Sequence, residues 1–313
     1  MKIAIIGAGT CGLYLAWKLA EKGHQVSVFE KKKEVGQQVC SGLFSERILK
    51  FVPESEKIIE NEINFAVLHF PKKTIKLKFS KKFLVMNHYE LDKLLYSIAQ
   101  KSGAKIVLDY DIKNIPDKYD KVIGCDGAVS FTRRKLNLPD PDFRLGIQGF
   151  IPFENKEDNK LNFVETWPCK NGFLWKIPRK NEIEYGVISK PNLLALRIFK
   201  KFLDKKNIVI KDIKSRMIPQ GFIIPDNNSI TLCGDSAGLT KPWSGGGVIW
   251  GLSASDILIK SFPDFNKYKK KTKMFFVPKI IMSKIAIKIV YFLGFKIPWL
   301  LPKNVKIESD FLL

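Results

Sequence analysis

The chain has 313 residues, 45% of them hydrophobic, which is enough for a well-buried core in one large domain or two interleaved ones. Five widely spaced cysteines argue against a disulfide framework and against a structural zinc site, so no metal is expected. The formal net charge of +22 fits a solvated surface, a nucleic-acid footprint or contact with an anionic membrane. Because no apolar run reaches about 18 residues, we do not expect the chain to span a bilayer.

Residues 2–30 read as a strand–helix–strand unit, with the helix over 13–22 and the second strand over 25–29. The chain starts directly with a strand, so we expect no signal peptide and a reducing, cytoplasmic setting. Alternating apolar and basic positions over 63–86 predict a hairpin. The later elements follow in order: a helix over 89–102, a strand over 105–108, a short strand within 120–127, several antiparallel strands within 143–190, a helix over 193–203 and a strand over 208–217.

A final strand over 229–233 and a helix from Val248 return to the opening pattern. The order predicts an α/β fold in which a split Rossmann-like domain is interrupted by a mostly antiparallel β domain and followed by a helical tail. The expected boundaries are 1–62, 87–135 and 227–262 for the three parts of the Rossmann-like domain, 63–86 for the hairpin, 136–226 for the inserted β domain and 263–313 for the basic amphipathic tail.

A glycine pattern, Gly7-x-Gly9-x-x-Gly12, lies between the first predicted strand and helix. Gly7 permits a tight turn, Gly9 lets a pyrophosphate approach, and Gly12 lets the helix pack closely on the strand. Glu30 ends the second strand, where its carboxylate can accept hydrogen bonds from ribose hydroxyls. The pattern favours dinucleotide binding over the alternative of a purely structural glycine-rich turn.

Two further segments extend this pattern, Gly124-Cys-Asp126-Gly127 and Gly234-Asp235-Ser-Ala-Gly238. Together the three segments resemble the FAD motifs of para-hydroxybenzoate-hydroxylase-like flavoproteins. The resemblance implies that Asp235 holds the ribityl hydroxyls and that the glycine run after it lies along the flavin. The cofactor-binding residues expected are Gly7, Gly9, Thr10, Cys11, Gly12, Glu30, Lys31, Ser41, Gly42, Asp126, Gly127, Gly234, Asp235, Gly238, Pro242, Gly245, Gly246 and Gly247.

Within that fold, three segments resemble the geranylgeranyl reductase family, including its archaeal type that acts on digeranylgeranylglycerophospholipids. They are Cys40-Ser-Gly42, the run from Pro168 through Phe173-x-Trp175 to Pro178, and Lys241-Pro-Trp-Ser-Gly-Gly-Gly247. The resemblance covers about residues 1–255 and implies an FAD-dependent reductase that hydrogenates isolated double bonds of polyprenyl chains in membrane lipids or their precursors. The electron donor stays open between NAD(P)H and a ferredoxin-like protein.

Cys40 is the one catalytic candidate, because a thiol beside a reduced flavin can donate a proton to an alkene carbon. The alternative is a small buried residue that only packs. Two positions depart from the family. Phe173 replaces a tyrosine, and His88 stands four residues before Asp92, where relatives commonly have arginine, which weakens the case for a strong cation there.

Four aromatic residues are predicted to line an apolar substrate channel, the alternative being an ordinary core: Phe173, Trp175, Trp167 and Trp243. The tail combines the basic run 267–273 with aliphatic stretches interrupted by lysines, a pattern typical of an anionic membrane interface. The alternative is a helix pair that covers the β domain with its lysines in water. We therefore expect a polyprenyl lipid as partner, a peripheral position on the inner face of the cell membrane, and no nucleic acid.

Two rival functions remain at this point. One is an FAD-dependent monooxygenase of the same fold, a hydroxylase or epoxidase, which the cofactor motifs cannot distinguish from a reductase. The other is a non-catalytic protein that binds FAD and lipid at a membrane surface, for which the charge of the tail is suited.

Overall fold

The computed structural model describes residues 1–37, 39–153 and 161–307. Its strands are β1 (Lys2–Ile6), β2 (Gln25–Phe29), β3 (Leu43–Ser45), β4 (Ile59–Phe70), β5 (Lys73–Met86), β6 (Lys105–Val107), β7 (Lys121–Gly124), β8 (Asp142–Pro152), β9 (Phe163–Cys169), β10 (Gly172–Pro178), β11 (Glu182–Ser189), β12 (Lys214–Gln220), β13 (Ile230–Leu232) and β14 (Asn304–Ile307). Its helices are α1 (Thr10–Glu21), α2 (Ile48–Phe51), α3 (His88–Lys101), α4 (Phe131–Lys135), α5 (Leu193–Lys205), α6 (Val248–Ser261) and α7 (Phe265–Lys296).

Five parallel strands form the first sheet in the order β13-β7-β1-β2-β6. Its central strand reads as a continuous apolar run, and Ile3, Ala4 and Ile5 are fully buried, because both faces of a parallel sheet are covered. Helices α1, α3 and α6 pack together on one side. The predicted α/β class and its split Rossmann-like sheet are therefore confirmed.

The second sheet is mostly antiparallel, in the order β12-β8-β11-β10-β9-β4-β5-β14, with β3 paired to β5. Two of its neighbours pair in parallel, β4 with β9 and β14 with β5. Along each strand the side chains alternate between two faces. One face carries α5, which buries Phe199 and Leu203 against β8 and β11, and the other face turns toward the first sheet.

The strand predicted over 208–217 starts and ends later: β12 begins at Lys214, where it pairs with Gln148 of β8, and ends at Gln220. Ile208 and Ile210 give that stretch its apolar pattern, but they pack as loop residues against the cluster around α5. The apolar spacing of this stretch therefore reflects side chains that are partly buried, and not residues that pair in a sheet. The hairpin also begins earlier than expected, at Ile59.

The tail is one 32-residue helix followed by a strand, where the alternative interpretation expected a helix pair. Phe265, Tyr268 and Phe276 are fully buried against the α6 side of the molecule. At its other end the helix comes so close to the hairpin that a Cβ at Gly294 would collide with the ring of Phe70. Among the described residues, no helix combines the length and apolarity needed to cross a membrane.

Candidate functional site

A cavity of about 1560 Å³ runs between the two sheets, from the glycine turn after β1 to the inner side of α7. Fourteen of the eighteen residues predicted to bind the cofactor line it: Gly7, Gly9, Thr10, Cys11, Glu30, Lys31, Ser41, Asp126, Gly127, Asp235, Pro242, Gly245, Gly246 and Gly247. They come from segments more than 200 residues apart. Because parallel strands end at a common edge of the sheet, β1, β7 and β13 bring them to one place.

The other four predicted cofactor residues, all glycines, shape the backbone around the cavity without lining it. A Cβ at Gly12 would collide with the carbonyl of Gly7, so this glycine lets α1 start directly against the turn. Gly42, Gly234 and Gly238 have φ angles of +64°, +72° and +76°, in the left-handed region that favours glycine.

Glu30 fixes the glycine turn from the next strand. Its carboxylate accepts hydrogen bonds from the backbone nitrogen of Ala8 at 2.8 Å and from that of Lys32 at 3.0 Å. At Gly7 the φ of +102° and the nearby carbonyl of Cys125 exclude any side chain. The turn therefore presents bare backbone to the cavity, which is what a pyrophosphate needs.

Asp126 both lines the cavity and caps a helix. It accepts hydrogen bonds from the Ser130 hydroxyl at 2.5 Å and from the backbone nitrogen of Thr132 at 2.8 Å, at the start of α4. Buried Arg133 then links this helix to the last cofactor segment by donating to the carbonyl of Ser236 at 3.0 Å. The Asp-Gly turn is thus tied structurally to the segment containing Asp235.

Asp235 meets a cation that the sequence interpretation missed. The guanidinium of Arg216, on β12, lies 2.8 Å from its carboxylate. A Cβ at Gly247 would come within 2.7 Å of the same carboxylate, so the glycine run leaves space there. This end of the cavity offers a carboxylate, a cation and open backbone, donors and acceptors that fit the ribityl and phosphate groups of FAD.

Most of the remaining cavity wall is apolar and is built from alternate residues of the second sheet. It is lined by Ala66, Leu68 and Phe70 of β4, Ile75, Leu77 and Phe79 of β5, Val164, Thr166 and Pro168 of β9, and Phe173, Trp175 and Ile177 of β10. Helix α7 closes its far end with Ala286, Ile287, Val290 and Tyr291. Every second residue of each strand faces the cavity because side chains along a strand alternate between its two faces.

Three of the four aromatic residues predicted for the channel line the cavity: Phe173, Trp175 and Trp243. Trp167 does not, because Thr166 and Pro168 on either side of it point inward and the strand alternates. Its ring stacks instead on His69, with centroids 5.1 Å apart, and packs against Phe202 of α5.

Trp175 is held by a buried ion pair. Its indole nitrogen donates to Glu184 at 2.8 Å, and Arg179 lies 3.1 Å from the same carboxylate. Burial raises the pKa of Glu184 to about 7, against the opposing effects of Arg179 and Trp175. Arg179 also donates to the carbonyl of Ser41 at 2.7 Å, so it anchors the loop that carries Cys40. The sequence motif that ends at Pro178 did not predict this role of Arg179.

Cys40 is half-buried in the wall where the polar and apolar parts of the cavity meet. The backbone nitrogen of Gly42 donates to its sulfur at 3.4 Å, and Gln148 donates to its carbonyl at 3.2 Å. Burial raises the pKa of Cys40, but His88, Gly42 and Arg216 together lower it by more, so the pKa of this thiol lies below its ordinary value. In Cys11 and Cys125, by contrast, the pKa is raised well above its ordinary value.

His88 lines the cavity beside Cys40 and is 8% exposed. Its Nε2 lies 3.2 Å from the hydroxyl of Thr10 and 3.4 Å from the carboxylate of fully buried Asp92. Burial lowers the pKa of His88, but Asp92 and Cys40 outweigh burial and raise it to about 10. Histidine at this position is therefore favoured in its charged form.

The comparisons with known proteins agree with this geometry. The model of the NAD(P)-binding Rossmann-like domain family matches residues 5–49. A protein from Methanosphaera stadtmanae named digeranylgeranylglycerophospholipid reductase 1 is 25% identical over 86% of this chain and 77% of its own. A protein from Methanococcus vannielii named digeranylgeranylglycerophospholipid reductase is 24% identical over 84% of this chain and 78% of its own. The predicted resemblance to the geranylgeranyl reductase family is confirmed.

Among solved structures, a geranylgeranyl bacteriochlorophyll reductase-like protein from Thermoplasma acidophilum has a TM-score of 0.79 at 19% identity, covering 92% of this chain and 86% of its own. A tryptophan 6-halogenase from Streptomyces toxytricini has a TM-score of 0.76 at 14% identity, covering 94% and 78%. These likenesses confirm the flavoprotein fold. The relatives' names agree with the predicted class of FAD-dependent reductase.

Proposed function

We propose that this protein hydrogenates isolated double bonds in the geranylgeranyl or other polyprenyl chains of membrane lipids or their precursors. The observation that carries the proposal is one cavity of about 1560 Å³ whose polar lining fits FAD and whose lining from the second sheet and α7 is mainly apolar. The names of the relatives support a reductase of prenyl lipids.

In this proposal the eighteen predicted cofactor residues act in two groups. The fourteen that line the cavity contact FAD, and Gly12, Gly42, Gly234 and Gly238 give the backbone the shape that allows those contacts. When bound, FAD in its reduced form supplies the hydride for such a reaction.

The protein's own residues supply the remainder. Phe173, Trp175 and Trp243 hold the prenyl chain in the apolar part of the cavity and exclude water from it. Cys40, at the boundary with the polar part, donates the proton that completes the addition to the double bond.

The direct test uses reduced, FAD-loaded protein without oxygen, mixed with a geranylgeranyl glycerolipid. We expect flavin reoxidation, followed by absorbance, and lipid products heavier by two daltons per bond, followed by mass spectrometry. Strict dependence on oxygen would point instead to a monooxygenase. Tight lipid binding with no flavin reoxidation would indicate a non-catalytic protein.

We further propose that α7 places the protein on an anionic membrane. Its outer side exposes a stripe of apolar residues that are each at least half accessible: Met274, Ile281, Met282, Ile285, Ile289 and Phe292. Exposed lysines, including Lys284 and Lys288, accompany this stripe on the same helix. An apolar stripe with neighbouring lysines is complementary to the acyl chains and phosphates of a lipid surface.

Ala286, Ile287 and Val290, between the stripe and the protein, line the cavity, so the surface and the interior meet along this helix. Sedimentation with vesicles tests the membrane proposal. Phosphatidylglycerol vesicles are expected to retain the protein, and Ile285→Asp to abolish retention. Leu193→Asp on α5, where the leucine is 77% exposed on another face, is the control, and equal loss in both variants would contradict the proposal.

A further inference from the structure

Cys40 and His88 are two titratable groups side by side in the cavity wall, each with a perturbed environment. They come from different parts of the fold, the loop before β3 and the first turn of α3. The inference concerns how His88 acts on Cys40, and it rests on the proposed function for the substrate and for Cys40 as the proton donor.

The hydrogen bonds of Thr10 determine which nitrogen of His88 is protonated. The Thr10 hydroxyl donates to Asp92 at 2.7 Å, so its oxygen is left to accept from Nε2–H of His88 at 3.2 Å. Asp92 is fully buried, and its second oxygen lies 3.4 Å from Nε2. A buried carboxylate in this position favours the charged imidazolium.

The other nitrogen of His88, Nδ1, is buried and has no hydrogen-bond partner among the described residues. After Asp92, the neighbour that raises the pKa of His88 most is Cys40. The reciprocal effect of His88 is the largest of those that lower the pKa of Cys40. His88 and Cys40 thus line one cavity wall, each favours the charged form of the other, and Nδ1–H is the donor of His88 that no other described group takes up.

We propose that His88 is a positioning residue that holds Cys40 as the thiolate of an imidazolium–thiolate pair and returns a proton to it in each turnover. The remaining groups around the pair are Arg216 from β12, which also favours the thiolate, Thr10 and Asp92, and the ring of Phe44, edge-on to the imidazole at 6.0 Å.

The proton moves in balanced steps. The N–H bond of His88 breaks as an S–H bond forms on Cys40. That S–H bond then breaks as a C–H bond forms on the prenyl carbon next to the one that receives the hydride. Cys40 is again a thiolate, and neutral His88 takes a proton from water. An arginine at position 88 would hold the thiolate but would release no proton, because its guanidinium stays charged in proteins.

The test follows the ionisation of Cys40 in FAD-loaded protein through the ¹³Cβ shift of labelled cysteine, which needs no reagent to reach the thiol. We expect Cys40 to titrate below free cysteine in the native chain. His88→Gln is expected to lower its thiolate fraction at pH 7.5 about tenfold or more, because one pH unit is a factor of ten. His88→Arg is expected to keep the thiolate.

Two internal controls are available. Cys169, whose pKa burial raises to about 11, reports any general change in the same spectrum, and His24→Gln removes a histidine that is remote from Cys40. Equal titration of Cys40 in the native chain and in His88→Gln overturns the pair. If His88→Gln does not fold, Asp92→Asn is expected to raise the midpoint of Cys40, and no rise overturns it equally.

Single-turnover flavin reoxidation with the prenyl lipid separates this inference from the proposed function. With the thiolate retained, His88→Arg is expected to reoxidise at least about tenfold more slowly than the native chain at pH 7.5. A native rate in His88→Arg refutes the proton return. No reoxidation by the native chain, with the Cys40 titration as expected, refutes the proposed function and leaves the ion pair standing.

Discussion

The buried carboxyl of Glu184 makes the stability of this protein depend on pH, and Glu184→Gln is the change that removes the dependence. The side chain is fully buried, accepts from the indole of Trp175 at 2.8 Å and lies 3.1 Å from Arg179. Burial nevertheless dominates and raises the pKa of Glu184 from 4.5 to about 7. Glutamine keeps the shape of the side chain and has no charge to bury.

The sign follows from proton binding. The folded protein holds the Glu184 proton more tightly than the unfolded chain does. The stabilisation is complete below pH 4.5 and is lost as the pH rises through about 7. The pKa of Glu184 is about 2.5 units higher in the folded protein than in the unfolded chain. At 1.36 kcal/mol per unit, this difference corresponds to about 3 kcal/mol of unfolding free energy. Relative to Glu184→Gln, the native chain should therefore lose about 3 kcal/mol of unfolding free energy between acid and mildly alkaline pH.

Urea unfolding of both proteins, saturated with FAD, measures this difference at several pH values from 4.5 to 8. Working with the difference cancels the titration of all other groups. Glu62→Gln, an exposed glutamate on the same sheet, is the control and is expected to run parallel to the native chain. Parallel curves for Glu184→Gln as well would refute the claim that burial dominates at Glu184.

Three further changes test other parts of the structure. Asp235→Asn leaves Arg216 without its carboxylate and should weaken FAD binding about tenfold in a fluorescence titration; an unchanged dissociation constant would count against the cofactor site. Gly294→Val should cost about 1–3 kcal/mol in thermal unfolding, because its side chain meets the ring of Phe70, and an unaltered melting temperature would disprove that contact. Tyr291→Phe removes a 2.8 Å hydrogen bond to a carbonyl at the start of β10 and should cost about 1 kcal/mol; no loss would mean that water replaces it.

The nucleotide-binding part of the fold could be predicted because its signals are local. Gly7, Gly9 and Gly12 report a turn that only glycine can make, and the flanking apolar runs report the strand and helix around it. The helix predicted over 89–102 begins one residue earlier, with Asn87 capping it through its side chain. A turn, a helix or a cap of this kind depends on residues that are close in sequence, so it can be recognised from the sequence alone.

The second sheet was harder to predict because its pairing is non-local. The apolar spacing around Ile208 and Ile210 is typical of a strand, but those side chains pack from a loop against the cluster around α5. Trp167 and Trp175 are both tryptophans on neighbouring strands, but their side chains point to opposite faces of the sheet. Trp175 lines the cavity, whereas Trp167 stacks on His69. A strand's period is visible in sequence, but which face turns inward depends on the partner strand.

The charged residues of the site were the hardest to assign, since their roles depend on partners far along the chain. Arg216 and Asp235 are 19 positions apart, and Thr10 and Asp92 are 82 apart. The substitution at position 88 looked like the loss of a cation when only the residue type was considered. With Asp92 buried beside it, histidine is favoured in its charged form, so in our proposal the departure from the family's pattern keeps a positive charge at the site and adds a proton that can be transferred.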